Sequence, residues 1–338
     1  MRCVDNPPNP FDRVQHERLE SAPSTGSTII EEQAKSILTE NHSPDIPFRW
    51  SVNPYRGCRH SCAYCYARRT HEYLGLGAGT DFGSHIVVKL NAPELLEQQL
   101  SSRRWRGESI TFSGVTDCYQ PLEAHYGLTR RCLEVCLQKR NPVAISTKSS
   151  LVTRDTDLLV ELGRQADVHV CLSIAFADVH ISRRIEPYAP SPEQRFKAMH
   201  HLAKAGVPVS LLLAPVIPGL NDRDIPVLLT RAAEAGACSA AYSPVRLPGS
   251  VADVFLKCLR TEFPDAAERV AQRMRELHGG TWNDPRLGHR LQGQGVYWES
   301  VARLFETTAT RCGLYGGQSW RRDDHPMQIE PPRQLTLF

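Results

Sequence analysis

Three cysteines, Cys58, Cys62 and Cys65, fall within eight residues of the stretch NPYRGCRHSCAYCYARR, in C-x3-C-x2-C spacing. Three thiols on one short loop can converge on a single soft metal centre. Three is one ligand too few for a closed four-cysteine site. An iron left open in this way is what a metal centre needs to bind a cofactor or substrate directly. A structural zinc site, in a metal-stabilised binding module without enzymatic activity, is the alternative. Zinc would want a fourth ligand, and His60 and His71 are near in sequence. Zinc ligands, however, usually come as two spaced pairs, and no second pair follows.

The elements around this loop alternate between two periodicities. Apolar, β-branched runs at Trp50–Asn53, Ile86–Leu90, Ile110–Gly114, Val143–Thr147, Val168–Ile174, Val209–Val216 and Ala240–Val245 predict strands. Helical patterns separate them at Ala92–Ser101, Thr129–Lys139, Thr156–Arg164, Pro192–Ala205 and Asp224–Ala235. Strands and helices in alternation predict βα units around a parallel sheet, as an open sheet or a barrel. In either, function sits at the C-terminal ends of the strands, which singles out the loops after Asn53, Gly114, Thr147, Ile174 and Val216. The expected organisation is an extended or partly disordered segment over 1–45, a core over 46–246, a helical C-terminal extension over 247–320 and a flexible tail over 321–338. LGLGAGT, at Leu74–Thr80, follows a helical pattern instead of a strand, so it is expected to be a flexible link and not a dinucleotide loop.

The chain has 338 residues, 41% of them hydrophobic, enough for a sizeable core. The N-terminus, MRCVDNPPNPFDR, has no apolar signal region. The most apolar stretch, Val207–Leu220, is broken by Pro208, Pro215 and Pro218 and reads as a buried strand. These features predict a cytoplasmic protein with no membrane part. Eleven cysteines, an odd number, then point to metal binding or burial instead of a disulfide framework. Cys132 and Cys136 share a helix face and are expected in the core. The net charge is only +3, and 33 of the 40 basic residues are Arg. Arg suits phosphate and carboxylate, but a genome rich in Arg codons gives the same bias.

C-x3-C-x2-C with aromatic Tyr64 before the last Cys resembles the radical S-adenosylmethionine (radical SAM) signature. The resemblance implies a [4Fe-4S] cluster held by Cys58, Cys62 and Cys65, whose open iron chelates S-adenosyl-L-methionine. It further implies reductive cleavage of that cofactor to a 5′-deoxyadenosyl radical, an electron donor of the reductase or flavodoxin type, and a partial (β/α)6 TIM-like barrel. Within the superfamily, residues 48–246 resemble the DNA repair photolyase (spore photoproduct lyase-like) branch through TFSGVTDCYQPLE, AISTKSS, CLSIAF and LLLAPVIPGLND. That likeness places Thr116, Lys148 and Ser173 against the methionine moiety, a Lys ammonium facing a carboxylate being reasonable physics. It lays Val216–Gly219 along the adenine and puts Arg183 and Glu186 at the rim near the cofactor. Each of these residues taken singly reads as an ordinary rim or surface group. Asp117 reads equally as a helix N-cap or a ligand contact.

One position departs from the branch. Its third-strand loop carries a cysteine that returns hydrogen to the product radical, and the corresponding residue here is Gly114. Cys118, four residues on, either takes that role or is buried. The branch implies a nucleic-acid substrate, with a protein or small molecule as the alternative. The final residues, Gln334-Leu335-Thr336-Leu337-Phe338, resemble the peptide by which bacterial polymerases and repair proteins bind the sliding clamp. A tether of this kind would raise the local concentration at DNA without a basic surface.

Overall fold

The computed structural model describes residues 5–11 and 27–314. Ten strands occur among them: β1 (Thr28–Glu32), β2 (Leu38–Glu40), β3 (Trp50–Val52), β4 (Tyr55–Arg56), β5 (His85–Lys89), β6 (Ile110–Phe112), β7 (Val143–Thr147), β8 (Val168–Ser173), β9 (Val209–Val216) and β10 (Ser239–Pro244). They form two sheets. The larger runs β10-β9-β8-β7-β6-β3-β2, with β3 and β6 to β10 all parallel and β2 antiparallel at one edge. The six parallel strands are an open barrel, since β10 and β2 do not pair.

The crossovers are helices whose apolar stripes are buried against the sheet. The helix Leu128–Gln138 buries Leu128, Cys132, Leu133, Val135 and Cys136, and Thr156–Gln165 buries Leu158, Leu159 and Leu162. These are the i, i+3, i+4 positions that a 3.6-residue period places on one face. Cys132 and Cys136 are therefore core residues, as their spacing predicts. Along the strands the period is two. Ala144 and Ser146, Cys171 and Ser173, and Leu212 and Ala214 accordingly line one cavity inside the barrel.

One expected strand lies elsewhere. The run at 86–90 forms β5, but β5 pairs in parallel with β1 and antiparallel with β4, outside the barrel. The partner β4 is two residues long, too short for any periodicity to show. This small sheet anchors the cysteine loop, because β4 ends at Arg56 and the loop begins at Gly57.

After β10 the chain is helical over Val251–Glu262, Pro264–Leu277 and Val296–Arg311. The last helix packs on the barrel through Tyr242, whose ring lies 4.3 Å from that of Phe305 and 5.8 Å from that of Trp298. Between the last two helices, Arg290 reaches back to Asp45, Nε to Oδ2 2.7 Å. No helix among the described residues is long and apolar enough to cross a membrane.

Candidate active site

The cysteine loop leaves β4 through a residue that must be glycine. Gly57 has φ +82°, and a Cβ there would meet His71 Cε1 at 2.7 Å and the His85 carbonyl at 2.8 Å. Backbone bonds then shape the loop: Cys58 N donates to Phe82 O, Ser61 N to Cys58 O and Cys65 N to Cys62 O. Arg68, fully buried, binds it from within. Its guanidinium donates to the carbonyls of Ser61 (2.8 Å), Cys62 (2.9 Å), Ala78 (2.8 Å) and Gly79 (2.7 Å). The LGLGAGT segment is thus pinned at its Ala78–Gly79 end, contrary to the expected flexible link. Five fixed donors make Arg, and not Lys, the side chain that can collect four carbonyls. Arg68→Ala is expected to lower stability by about 3 kcal/mol or more, since several buried acceptors lose their donor, and to lower the metal retained. Urea unfolding and iron analysis check this.

Cys58, Cys62 and Cys65 all line the barrel cavity. None of the ten described cysteines is in a disulfide. Burial pushes the Cys62 thiol up to about 12, with the Glu186 carboxylate adding to the shift. Among the described residues, no group of three or more His, Cys, Asp or Glu side chains stands in ligating geometry. The donor set nevertheless fits a three-thiolate cluster. The three sulfurs come from one loop, face one cavity and are unpaired, and His60, the nearest other donor, turns to Asp117 with Nδ1 3.3 Å from Oδ2. Metal binding would displace the thiol protons.

Asp117 lines the cavity, and both its carboxylate oxygens are engaged by the chain. It accepts from Thr147 Oγ1 (2.6 Å), Lys148 N (2.8 Å) and Tyr119 N (2.9 Å), and so ties the loop after β6 to the end of β7. Burial opposes its charge, but His60 and these donors hold its carboxyl down to about 2. Thr116 lines the cavity and donates to Gly57 O at 2.6 Å, and Ser173 lines it and donates to Ala214 O at 3.2 Å. Tyr64 also lines the cavity, and its hydroxyl donates to Glu186 Oε1.

Lys148 projects into the same space with its Nζ 5.7 Å from the centre of the Tyr64 ring. Burial acts against its charge, yet Cys62 and Glu186 raise its pKa, so it stays an ammonium. No carboxylate among the described residues pairs with it, which suits a group that receives an anionic ligand. Lys148→Met is expected to weaken S-adenosylmethionine binding by about 1.5–3 kcal/mol, the range for a charge-assisted hydrogen bond, with iron content unchanged. Equilibrium dialysis with iron analysis checks both.

Five expected site residues, Cys118, Arg183, Glu186, Val216 and Gly219, do not line the cavity. Cys118 adjoins Asp117, and its side chain packs fully buried in the main core while its carbonyl accepts from Thr129 Oγ1 at 2.6 Å. Gly114 lines the cavity, but its φ of +137° strongly disfavours any residue with a side chain. Arg183 is exposed on the helix Val179–Ile185. The buried partner of Glu186 is Arg195, Nη2 to Oε2 2.5 Å, and Arg195 also donates to Ser173 O at 2.9 Å. Val216 points into the core, and Gly219 sits beside Arg273, so Ala214 and Pro215 line the wall in their place. The register shifts here: Tyr242 of β10 pairs with Leu213 but Pro244 with Val216, so β9 carries one extra residue and its alternation breaks between Ala214 and Val216.

Several site groups carry only faint signals in the sequence. Arg195 interrupts the apolar stripe of the helix Pro192–Lys204, among Phe196, Met199 and Leu202, where a charge implies a buried partner. Tyr66 and Arg246 line the cavity with no local pattern to mark them.

The sequence matches the radical SAM superfamily over residues 52–232. It is 35% identical over 256 residues to an uncharacterized protein of Mycobacterium tuberculosis, covering 75% of this chain and 74% of the relative. It is 24% identical over 263 residues to a radical SAM Nalpha-GlyT isomerase of Pseudomonas phage M6, covering 77% of this chain and 52% of the isomerase. Among solved structures, spore photoproduct lyase complexed with dinucleoside spore photoproduct aligns with a TM-score of 0.61 at 14% identity, over 86% of this chain and 82% of that one. A variant of that lyase with bound AdoMet and the same dinucleoside aligns with a TM-score of 0.55 at 16% identity, over 84% and 78%.

Proposed function

Because this chain belongs to the radical SAM superfamily, we propose that it is a radical SAM enzyme acting on nucleic acid, on a base held inside the barrel mouth. The observation that carries this reading is the composition of one cavity. It is lined by the Cys58, Cys62 and Cys65 thiols together with Lys148, Thr116 and Ser173, and also by the rings of Phe48, half-buried, and Tyr66, exposed. A flat base can stack on such rings while the other groups hold a cofactor. Likeness to spore photoproduct lyase supports the same substrate class.

Cys58, Cys62 and Cys65 would hold a [4Fe-4S] cluster, and Lys148, Tyr64, Thr116 and Ser173 would hold S-adenosylmethionine. When bound, this pair supplies a one-electron reductive cleavage that starts radical chemistry on the substrate; a flavodoxin-type reductase would supply the electron. The chain's own part is placement. Asp117 fixes the backbone before Lys148, Glu186 and Arg195 hold Tyr64 and the end of β8, and the apolar side chains Ile46, Phe48 and Leu291 limit water. Gly114 offers no thiol to return hydrogen, so the lyase's own reaction is not carried over to this chain.

The test is 5′-deoxyadenosine release by reduced, reconstituted enzyme. DNA, intact or ultraviolet-irradiated, is expected to stimulate release and to change in mass. Stimulation by cellular protein or small molecules, with DNA at background, would overturn the nucleic-acid reading. Gln334–Phe338, which resemble a clamp-binding peptide, lie outside the described residues. Clamp binding remains part of the proposal, and calorimetry of that peptide against purified clamp, with Leu337→Ala/Phe338→Ala as control, tests it.

A further inference from the structure

The two guanidinium groups on the cavity wall differ in one respect. Arg290 has a carboxylate, Asp45, 2.7 Å away. Arg246, just after β10, has none within ion-pair distance among the described residues, and its Cζ lies 5.0 Å from the centre of the Tyr66 ring. A half-buried guanidinium without a paired carboxylate is costly, and burial depresses its pKa although Asp45, paired with Arg290, acts on it from a distance. The ring beneath it is itself fixed, because the Tyr66 hydroxyl donates to Gly114 O, and 45% of Tyr66 stays exposed. Lys148 stands at the end of β7, three strands from β10 in the sheet order, so the two unpaired cations serve different parts of the cavity.

We propose that Arg246, braced on Tyr66, is the anchor for a phosphodiester of the substrate strand, next to the base held inside the cavity. This rests on the nucleic-acid reading above and deepens it. The planar fork of Arg suits two phosphate oxygens at once. The adjoining Tyr66 and Phe48 rings offer flat apolar surface, so charge and surface together match a nucleotide better than an isolated carboxylate.

The experiment uses reconstituted holoenzyme without reductant and measures anisotropy of fluorescein-labelled single-stranded DNA. Arg246→Met is expected to weaken binding about ten- to hundredfold and to reduce the salt slope by about one, with Arg246→Lys intermediate. Neutral methylphosphonate linkages should weaken binding to the native protein and cost the Arg246→Met variant less, because the lost contact is the same. Equal binding of the phosphodiester by native and Arg246→Met protein overturns the anchor and leaves the nucleic-acid reading standing. A matching loss of S-adenosylmethionine affinity would assign Arg246 to the cofactor and also overturn it. If the native protein binds no nucleic acid, the substrate reading fails, and a second arm decides the anchor separately. Inorganic pyrophosphate should then slow phenylglyoxal modification of Arg246, read by mass spectrometry, at least several-fold. No protection would end the anchor as well.

Discussion

Alanine at Cys58, Cys62 or Cys65 is expected to bring both iron content and S-adenosylmethionine cleavage to background. The native protein should take up about four irons per chain on anaerobic reconstitution. The loop offers three thiols and no spare, since the nearest imidazole, His60, is buried and turned to Asp117. Removing one sulfur leaves two ligands on a loop whose backbone is already fixed by Phe82, Arg68 and its own turns, so no other donor can move in. The fold should survive, because Cys58 packs in a small satellite of the core with Ala67 and Phe82, and trimming Cys62 or Cys65 at the edge of the main core removes a single sulfur. Circular dichroism, iron and sulfide analysis, and 5′-deoxyadenosine release check the three parts. A triple variant that still gave a brown protein and cleaved the cofactor would remove the cluster assignment.

The second large effect is expected at Arg195. Glu186 and Arg195 are both about 1% exposed or less, with Nη2 and Oε2 2.5 Å apart. Arg195→Met strands the Glu186 carboxylate in the interior and should cost about 3–5 kcal/mol. The double change Glu186→Gln/Arg195→Met should recover part of that loss, because no unpaired charge remains. Burial pushes the Glu186 pKa up, but Arg195 and Lys148 pull harder and leave it below its ordinary value of 4.5. A carboxyl held low in the folded state contributes stability above its unfolded pKa and loses it as pH falls through the folded one. In the variant the pull is largely gone and the carboxyl titrates higher. The stability gap between native and variant protein should therefore be widest near neutral pH and narrow as pH falls below about 4.5. Urea unfolding of the metal-free proteins across pH measures it, and a gap constant with pH would mean that the ion pair is not its source.

The Glu186 pair also shows where the family likeness, which puts Arg183 and Glu186 together at the rim, parts from the packing. Arg183 lies three residues before Glu186, which places the two on one helical face, but the helix Val179–Ile185 ends there and turns Arg183 to solvent. Arg195 comes from the next helix, whose inner face is fixed by packing on the barrel. The same reasoning applies to Cys118. Its neighbour Asp117 is drawn to the rim by Thr147 and His60, so the thiol next to it faces inward.

By itself, the sequence determined what depends on short-range order. The C-x3-C-x2-C spacing sets three thiols on one loop, and the alternation of periods two and 3.6 sets parallel βα units with their loops on one rim. The helix stripes that bury Cys132 and Cys136 are equally local. Tertiary structure alone decided which strand belongs to which sheet, because β5 has the same apolar pattern as a barrel strand and only pairing with β1 and β4 removes it. It also decided which charged groups meet which partners: Arg68 with four loop carbonyls, Arg195 with Glu186, and Arg246 with an aromatic ring. Such contacts join residues that are far apart along the chain or on separate elements. Their energy depends on burial and orientation, which residue types and spacing do not specify.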